Sequence, residues 1–179
     1  MKKKLTVSLA VLALVACMAA GATLAWLTAK TSSVTNTFTY GDINIELKET
    51  TGESYKMVPG NKITKDPKVT VKANSEACWL FVKVEKSNNF DSFMEYEIAS
   101  GWTKLDGVDG VYYREVASST TDTVFGVLSG DSVKVKTTVT KEQFNNLTST
   151  TMPTLTFTAY ACQKDNVSTA TQAWNFVNE

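Results

Sequence analysis

The chain has 179 residues, with 18 basic and 18 acidic side chains and no histidine. This length fits one domain plus a targeting segment, and a balanced charge without a basic block argues against nucleic acid as a partner. The absence of histidine excludes Ser-His-Asp and Cys-His catalysis and histidine-ligated zinc, and it removes the side chain that most often carries acid–base chemistry near neutral pH.

The first 25 residues have the features of a secretory signal peptide. A positive region at residues 2–4 precedes an apolar run over residues 5–27, and the first acidic residue is Asp42. The run is long enough to span a bilayer, but its small and polar residues favour a signal helix that is removed after export. We therefore predict contact with a membrane only through this segment.

Two cleavage positions are consistent with the signal segment. Small residues lead up to Ala25, so an ordinary signal peptidase would cut between Ala25 and Trp26. The stretch LVAC, which ends at Cys17, also has the form of a lipoprotein box, and Cys17 would then carry a lipid anchor. The first cut predicts a signal peptide at 1–25 and a mature domain with three more acidic than basic residues.

The new N-terminal segment, residues 26–41, has the composition of a β-strand. It is rich in β-branched residues, contains no proline and has one glycine. Val34, Phe38 and Tyr40 would share one face of a strand. Two interpretations follow: the segment is the first strand of its own domain, or it is a donor strand that pairs with an exposed sheet edge of another copy.

Residues 42–179 alternate between apolar and polar side chains, which indicates half-buried strands. Turn signals at Tyr40, Val58, Asp106 and Ser129 separate the strands, and a hairpin is expected around Gly107 and Gly110. We predict an all-β fold, an antiparallel β-sandwich of the jelly-roll or Ig-like type, preceded by the signal helix. The predicted inward residues are Ile43, Ile45 and Leu47; Val69 and Val71; Cys78, Leu80, Val82 and Val84; Val133, Val135 and Val139; and Leu155, Phe157, Ala159 and Ala161.

Three short peripheral helices are predicted where the alternation breaks. In NNFDSFM, Phe90, Phe93 and Met94 have the spacing of one amphipathic turn. In TKEQFNNL, Thr140 and Gln143 form a capping-box pattern, and Phe144 and Leu147 would face inward. The tail NVSTATQAWNFV is expected to form a helix capped by Ser168, docked through Ala173, Trp174 and Val177.

Candidate binding residues are few. Trp79 and Phe81 fall on the solvent-side parity of their strand, where they would contact a ligand unless a helix or loop covers them. The candidates for stacking on a sugar or a host partner are Trp79, Phe81, Trp102, Tyr112 and Tyr113.

Other polar and thiol groups have simpler interpretations. Asp106 and Asp109 resemble calcium ligands, but Asp-Gly pairs more often make turns, and the EF-hand pattern is absent. Cys78 and Cys162 lie on opposite parities, which favours two independent thiols over a disulfide. Carboxylate chemistry of the glycosidase type has no pair of residues to single it out. We predict no catalytic residue, no metal site and no cofactor.

Several stretches of the sequence resemble the TasA/camelysin family. They are a Lys-rich start, GATLAWLT, NTFTYGDINIEL and VPGNKITKDPKVTVKA, and the signal motif runs from about Gly21 to Leu47. Members of this family are exported proteins of Gram-positive bacteria with a SipW-type signal peptide. The resemblance implies a sandwich secreted to the cell surface or the extracellular matrix of a biofilm, where some members form fibres.

The same resemblance implies cleavage near Ala25 by a dedicated SipW-type signal peptidase. It implies self-association, or association with a related matrix subunit, as the function of a non-enzymatic protein. The name camelysin is associated with a metalloprotease, but a chain without histidine or a zinc motif gives no basis for transferring that activity. The alternative from the residues is a surface carbohydrate- or host-binding sandwich, anchored by lipid at Cys17.

Overall fold

The computed structural model describes residues 41–52 and 55–178. Within these residues the chain is mostly β, as predicted, and the helices are short. The strands are β1 (Ile45–Lys48), β2 (Lys62–Thr64), β3 (Lys68–Val71), β4 (Cys78–Lys86), β5 (Met94–Ile98), β6 (Thr103–Lys104), β7 (Val111–Val116), β8 (Thr123–Gly126), β9 (Leu128–Val135) and β10 (Leu155–Gln163). The helices are α1 (Phe90–Phe93), α2 (Lys141–Asn145) and α3 (Ala170–Val177).

The described strands form three antiparallel sheets. Sheet A has the order β1-β3-β8, sheet B has the order β2-β9-β5, and sheet C has the order β10-β4-β7-β6. The pairing of β4 with β10 is the longest, running from Cys78 opposite Gln163 to Lys86 opposite Leu155.

Sheets A and C share one hydrophobic core. Strand alternation directs Val69 and Val71 of sheet A toward this core, where they meet Leu80 and Val82 of sheet C. Ile43, Ile45, Leu47 and the alternating residues of β10 pack at its margin. The inward parity predicted for β1, β3, β4 and β10 is therefore confirmed.

Sheet B has a second core, which α1 and α2 cover. Phe90 and Phe93 of α1 are buried there with Met94, as the spacing of these residues predicted. The capping box of α2 is present: the Gln143 amide donates to Thr140 Oγ1 at 3.2 Å, and the Thr140 amide donates to Gln143 Oε1 at 2.8 Å. Phe144 packs at the margin of the same core, also as predicted.

Helix α3 covers the face of sheet C that points away from sheet A. Trp79 and Phe81 are buried there against Trp174, so of the two interpretations of this face the covering helix is confirmed and the open ligand-binding face is wrong. The predicted cap is also wrong. The N-cap is Thr169, whose Oγ1 accepts from the Gln172 amide at 3.2 Å, because Thr169 is the residue that directly precedes the first helical turn.

None of the three described helices has the length and apolar character that crossing a membrane requires.

The predicted hairpin and one predicted turn have different outcomes. β6 pairs with β7 through a turn in which Gly107 and Gly110 have positive φ, which confirms the hairpin. A Cβ at Gly110 would lie 2.4 Å from the Val84 carbonyl oxygen, so the close approach of the two backbones requires glycine.

The turn predicted at Ser129 instead lies inside β9. There Gly130 and Asp131 have positive φ, and the register with β5 breaks as in a β-bulge.

Candidate interaction site

Two edge strands lie side by side where sheets A and C meet. Among the described residues, β1 pairs only with β3 and β10 pairs only with β4. β1 and β10 contact each other without forming a common ladder, and their apolar side chains meet in the shared core. An edge strand carries backbone groups that another strand can pair with.

The hydrogen bonds at the ends of β10 show which backbone groups point outward. The Ser87 amide donates to the Thr154 carbonyl at 3.0 Å, and the Lys164 amide donates to the Ala77 carbonyl at 2.9 Å. Even-numbered residues of β10 therefore pair with β4, and the odd-numbered residues direct their N–H and C=O groups away from it. These outward residues are Leu155, Phe157, Ala159, Ala161 and Gln163.

The same argument applies to β1. The Lys72 amide donates to the Asn44 carbonyl at 2.8 Å, which places the even-numbered residues of β1 toward β3. Ile45 and Leu47 therefore present their backbone groups on the side away from β3. Within residues 41–52 and 55–178, both strands at this junction therefore have an edge that an additional strand could use.

A cleft of about 750 Å³ lies beside this junction. Most of its wall is apolar, and methionine side chains contribute to it, which makes the wall adaptable in shape. The lining includes Leu47, Met57, Ile63, Phe90, Met94, Met152, Leu155 and Phe157.

The charged side chains that line the cleft are all paired, Lys48 with Glu46 and Lys65 with Glu49. Lys65 Nζ lies 2.7 Å from both carboxylate oxygens of Glu49, and the two side chains are only 12% and 23% exposed. The same ammonium lies 5.3 Å from the ring centre of Tyr55 and 5.8 Å from that of Phe157. A cleft with a satisfied ion pair and apolar walls suits an uncharged, apolar occupant.

The arrangement is suited to binding an extended segment by strand addition. In that mode, main-chain hydrogen bonds along an edge give affinity, and alternate side chains enter an apolar surface. The described residues contain no group of three or more His, Cys, Asp or Glu side chains placed to hold a metal ion.

Three of the five candidate aromatics are buried. Trp79 is 6% exposed and Phe81 is fully buried beneath α3, and the Trp79 indole donates to the Val167 carbonyl at 3.0 Å. Trp102 is 9% exposed, and its indole donates to the Gly126 carbonyl at 2.9 Å. These rings stabilise the packing of the domain and present no open face for a sugar.

The two candidate tyrosines lie on opposite faces of β7. Half-buried Tyr112 packs against the core between sheets A and C, whereas half-buried Tyr113 packs beneath α3. The structure therefore does not bring the five aromatics together on one surface.

The two cysteines of the described region are both free, as their opposite parities favoured. They lie on adjacent strands, with Cys78 opposite Gln163 and Cys162 opposite Trp79, so their side chains point to opposite faces of sheet C. Burial, with the Cys162 thiol nearby, raises the pKa of Cys78 to about 11, and burial also raises the pKa of Cys162.

Asp106 and Asp109 lie in the turn of the β6–β7 hairpin, as the turn interpretation predicted. Asp109 lies 3.4 Å from Lys104 Nζ. Their positions are explained by turn geometry and a surface ion pair.

Sequence reasoning missed most of the cleft. Glu49 and Lys65 are 16 residues apart, and no local pattern connects them. Met57 and Met152 lie outside the regular strands, where periodicity carries no signal. The outward backbone groups of β10 could be assigned only after its partner was known.

Other predicted positions lie outside the described residues. These are the cleavage position at Ala25 and Trp26, the alternative lipidation position at Cys17, and the donor-strand residues Val34, Phe38 and Tyr40.

Comparison with known proteins gives no relative for this chain: no family model, no curated protein and no solved structure matches it.

Proposed function

We propose that this protein is an exported, non-enzymatic structural subunit of a bacterial cell surface or extracellular matrix. It would associate with further copies of itself or with a related matrix subunit. The observation that carries the proposal is the pair of edges at β1 and β10 beside an apolar cleft. The resemblance of its N-terminal motifs to the TasA/camelysin family supports the same function.

The fold proposed for this subunit is an antiparallel β-sandwich of the jelly-roll or Ig-like type. Sheets A and C would be its two layers. The support is the core that they share, in which both sheets contribute alternate side chains. In such an architecture the edges at β1 and β10 flank one side of the sandwich.

The proposed assembly uses residues 26–41 as a donor strand. Val34, Phe38 and Tyr40 share one face of an extended segment, and the cleft offers apolar walls for such side chains. Backbone groups of the segment would pair with the outward groups of an acceptor edge. Between copies the contact is head-to-tail and can propagate into a filament. Within one chain the same segment would be the first strand of the domain.

Export would control this assembly. Until cleavage between Ala25 and Trp26, the signal segment would hold the donor strand at the membrane. The intact mass of protein recovered from its host should correspond to a chain that begins at Trp26. Recovery of a diacylated Cys17 would overturn this proposal and make the protein a lipoprotein.

Assembly is tested by comparing protein that begins at Trp26 with protein that begins at Asp42. Electron microscopy and light scattering at matched concentration should detect filaments only from the longer form, and circular dichroism should show that both forms are folded. A longer form that stays monomeric in every condition, or equal polymerisation of both forms, would contradict the donor role.

A surface module for carbohydrate or host binding has less support. Its candidate residues Trp79, Phe81 and Trp102 are buried in the domain, and each indole donates to a backbone carbonyl. Glycan binding that is lost on Tyr112→Ala, by a protein that stays monomeric, would favour that alternative.

A further inference from the structure

Arg114, the only arginine of the chain, occupies a confined position at the margin of the shared core. It lies on β7 opposite Leu80 of β4, so its side chain points toward sheet A. Its guanidinium carbon is 3.8 Å from the ring centre of Phe125 and 5.3 Å from that of Trp102. This position is close to the edge strands β6 and β8, away from the edges at β1 and β10.

The backbone of Gly101 also lies close to the guanidinium of Arg114. A Cβ at this glycine would lie 3.0 Å from Nη2 and 3.5 Å from Cζ of Arg114. The absence of a side chain at Gly101 therefore makes room for the guanidinium. Stacking on Phe125 and contact with Gly101 restrict the rotation of the group, so its donors have a fixed direction.

The Arg114 side chain as a whole is half-buried, but one of its guanidinium donors is buried without an acceptor in the described part of the chain. Its Nε is buried and has no hydrogen-bond partner there. Burial lowers the pKa of Arg114, and no carboxylate among the described residues acts in the opposite direction. Leaving a buried charged donor without an acceptor is unfavourable, and an apolar side chain would fill the same space without that cost.

We propose that Arg114 is a recognition site for a carboxylate on another polypeptide chain. The planar guanidinium can bind a carboxylate edge-on through two parallel N–H donors, and its fixed direction favours that geometry. Because Nε is buried and Phe125 covers one face of the group, the edge formed by Nη1 and Nη2 is the side that the carboxylate would approach.

The surroundings favour a protein carboxylate over a sugar or a polyanion. Trp102 is 9% exposed and Phe125 stacks on the guanidinium, so no open aromatic face accompanies the site as sugar binding usually requires. One arginine suits one carboxylate, whereas nucleic acid requires several cations. A chain that approaches the edge at β6 or β8 would bring an Asp, a Glu or a C-terminus within reach.

The test uses the single arginine as its own reporter. In the ¹⁵N-labelled full chain, kept in solution with a non-ionic detergent, the Nε–Hε signal of Arg114 is unique. Sodium acetate should shift this signal, and the Trp102 indole signal, to saturation. Sodium chloride at equal ionic strength should not. Acetylated glutamate amide should bind at least as tightly as acetate.

Two variants provide the controls. Arg114→Lys keeps the charge but loses the planar fork, so the acetate-dependent shift of the Trp102 indole should disappear. Lys104→Gln removes a cation on the neighbouring strand β6 and should leave the shift unchanged. If Arg114→Lys does not fold, the acetate and chloride titrations of the unmodified chain decide whether the carboxylate site exists.

Three results would overturn the proposal. Acetate and chloride acting alike would show that no carboxylate site exists. Phosphate binding about tenfold tighter than acetate would identify a phosphate site. Glucuronate binding about tenfold tighter than acetylated glutamate amide would identify an acidic sugar as the ligand. Each result is independent of whether the chain forms filaments.

Discussion

At the scale of single residues, burial should separate the two thiols of the domain in reactivity. The thiolate is the reactive form, and the pKa of Cys78 is raised to about 11. At pH 8 about one Cys78 side chain in a thousand would be ionised. Its side chain is also fully buried, whereas that of Cys162 is partly exposed.

We therefore expect iodoacetamide at pH 8 to alkylate Cys162 first in the native protein, and Cys78 only after unfolding. Peptide mass mapping distinguishes both from Cys17 and shows whether they are reduced. Equal rates at the two cysteines in the native protein would contradict the burial of Cys78. A disulfide between them would contradict their placement on opposite faces of sheet C.

Asp66 should make stability depend on pH in the acid range. This carboxylate is 6% exposed and accepts hydrogen bonds from the hydroxyl of Thr50 at 2.7 Å and from its amide at 2.9 Å. These bonds, with a smaller contribution from Lys68, hold the pKa of Asp66 well below its usual value of 3.8.

Because the folded-state pKa of Asp66 is lowered, its contribution to stability is present above the unfolded-state pKa and is lost as the pH falls toward the folded-state value. The urea concentration at the unfolding midpoint of the unmodified chain should fall steadily below about pH 4, because the folded state loses stability. Asp66→Asn should lower the midpoint at pH 7 and flatten this dependence. Asp106→Asn, in an exposed turn, is the control. An unchanged pH profile in Asp66→Asn would contradict the assignment.

At the scale of elements, the packing of α3 against sheet C should depend on one side chain, that of Trp174. Trp174 is 3% exposed and lies 5.3 Å from Phe81 and 5.2 Å from Tyr160, measured between ring centres. Truncating a buried aromatic to alanine typically costs about 3–5 kcal/mol. On the same helix, Phe176 is 66% exposed and contributes little to packing.

We expect Trp174→Ala to lower the free energy of unfolding by about 3–5 kcal/mol, and Phe176→Ala by no more than about 0.5 kcal/mol. Urea unfolding followed by circular dichroism measures both. Trp174→Ala should also increase quenching of the remaining tryptophan fluorescence by acrylamide, because Trp79 loses its cover. Similar stability of the two variants would mean that α3 does not cover sheet C.

The same helix shows how far sequence could predict the fold. Alternation is a local property, so it correctly predicted the inward residues of β3, β4 and β10. Coverage of the other face of β4 is not local: Trp79 is buried by a helix that begins at Ala170. An aromatic side chain on the face of a strand that points away from one core can therefore belong to a second core as well as to a binding surface.

The elements that sequence missed are short or irregular. β2 and β8 have three and four residues, too few to establish a period. The Ser-Gly-Asp stretch has the composition of a turn, yet it forms a bulge because β9 continues past it to pair with both β2 and β5. Arg114 had no pattern to predict it, since its confinement depends on Phe125 and Gly101 from other segments.

At the scale of the whole folded unit, the core shared by sheets A and C has two margins, and the side chains that close these margins differ. Near β6 and β8, the margin of the core is closed by the edge-to-face rings of Trp102 and Phe125 and by the cation of Arg114. Near β1 and β10, the margin has half-buried apolar residues and an adjacent cleft. The second side is therefore the one we expect to accept an added strand.

Strand addition at this side predicts that one proline will block assembly without unfolding the domain. Ala159 lies between two residues that pair with β4, so its own N–H points away from β4. Proline at Ala159 would remove only that outward donor, which an edge strand can tolerate. Proline at Tyr160 would instead remove a hydrogen bond to β4 and should destabilise the domain.

In protein that begins at Trp26, we expect Ala159→Pro to abolish the filaments seen by electron microscopy while circular dichroism and urea unfolding still report a folded domain. Tyr160→Pro should lower the unfolding midpoint much further. If Ala159→Pro also unfolds, Ala161→Pro repeats the test at the next outward position. Filaments from a folded Ala159→Pro or Ala161→Pro variant, in the amount formed by the unmodified protein, would show that assembly does not use the edge of β10.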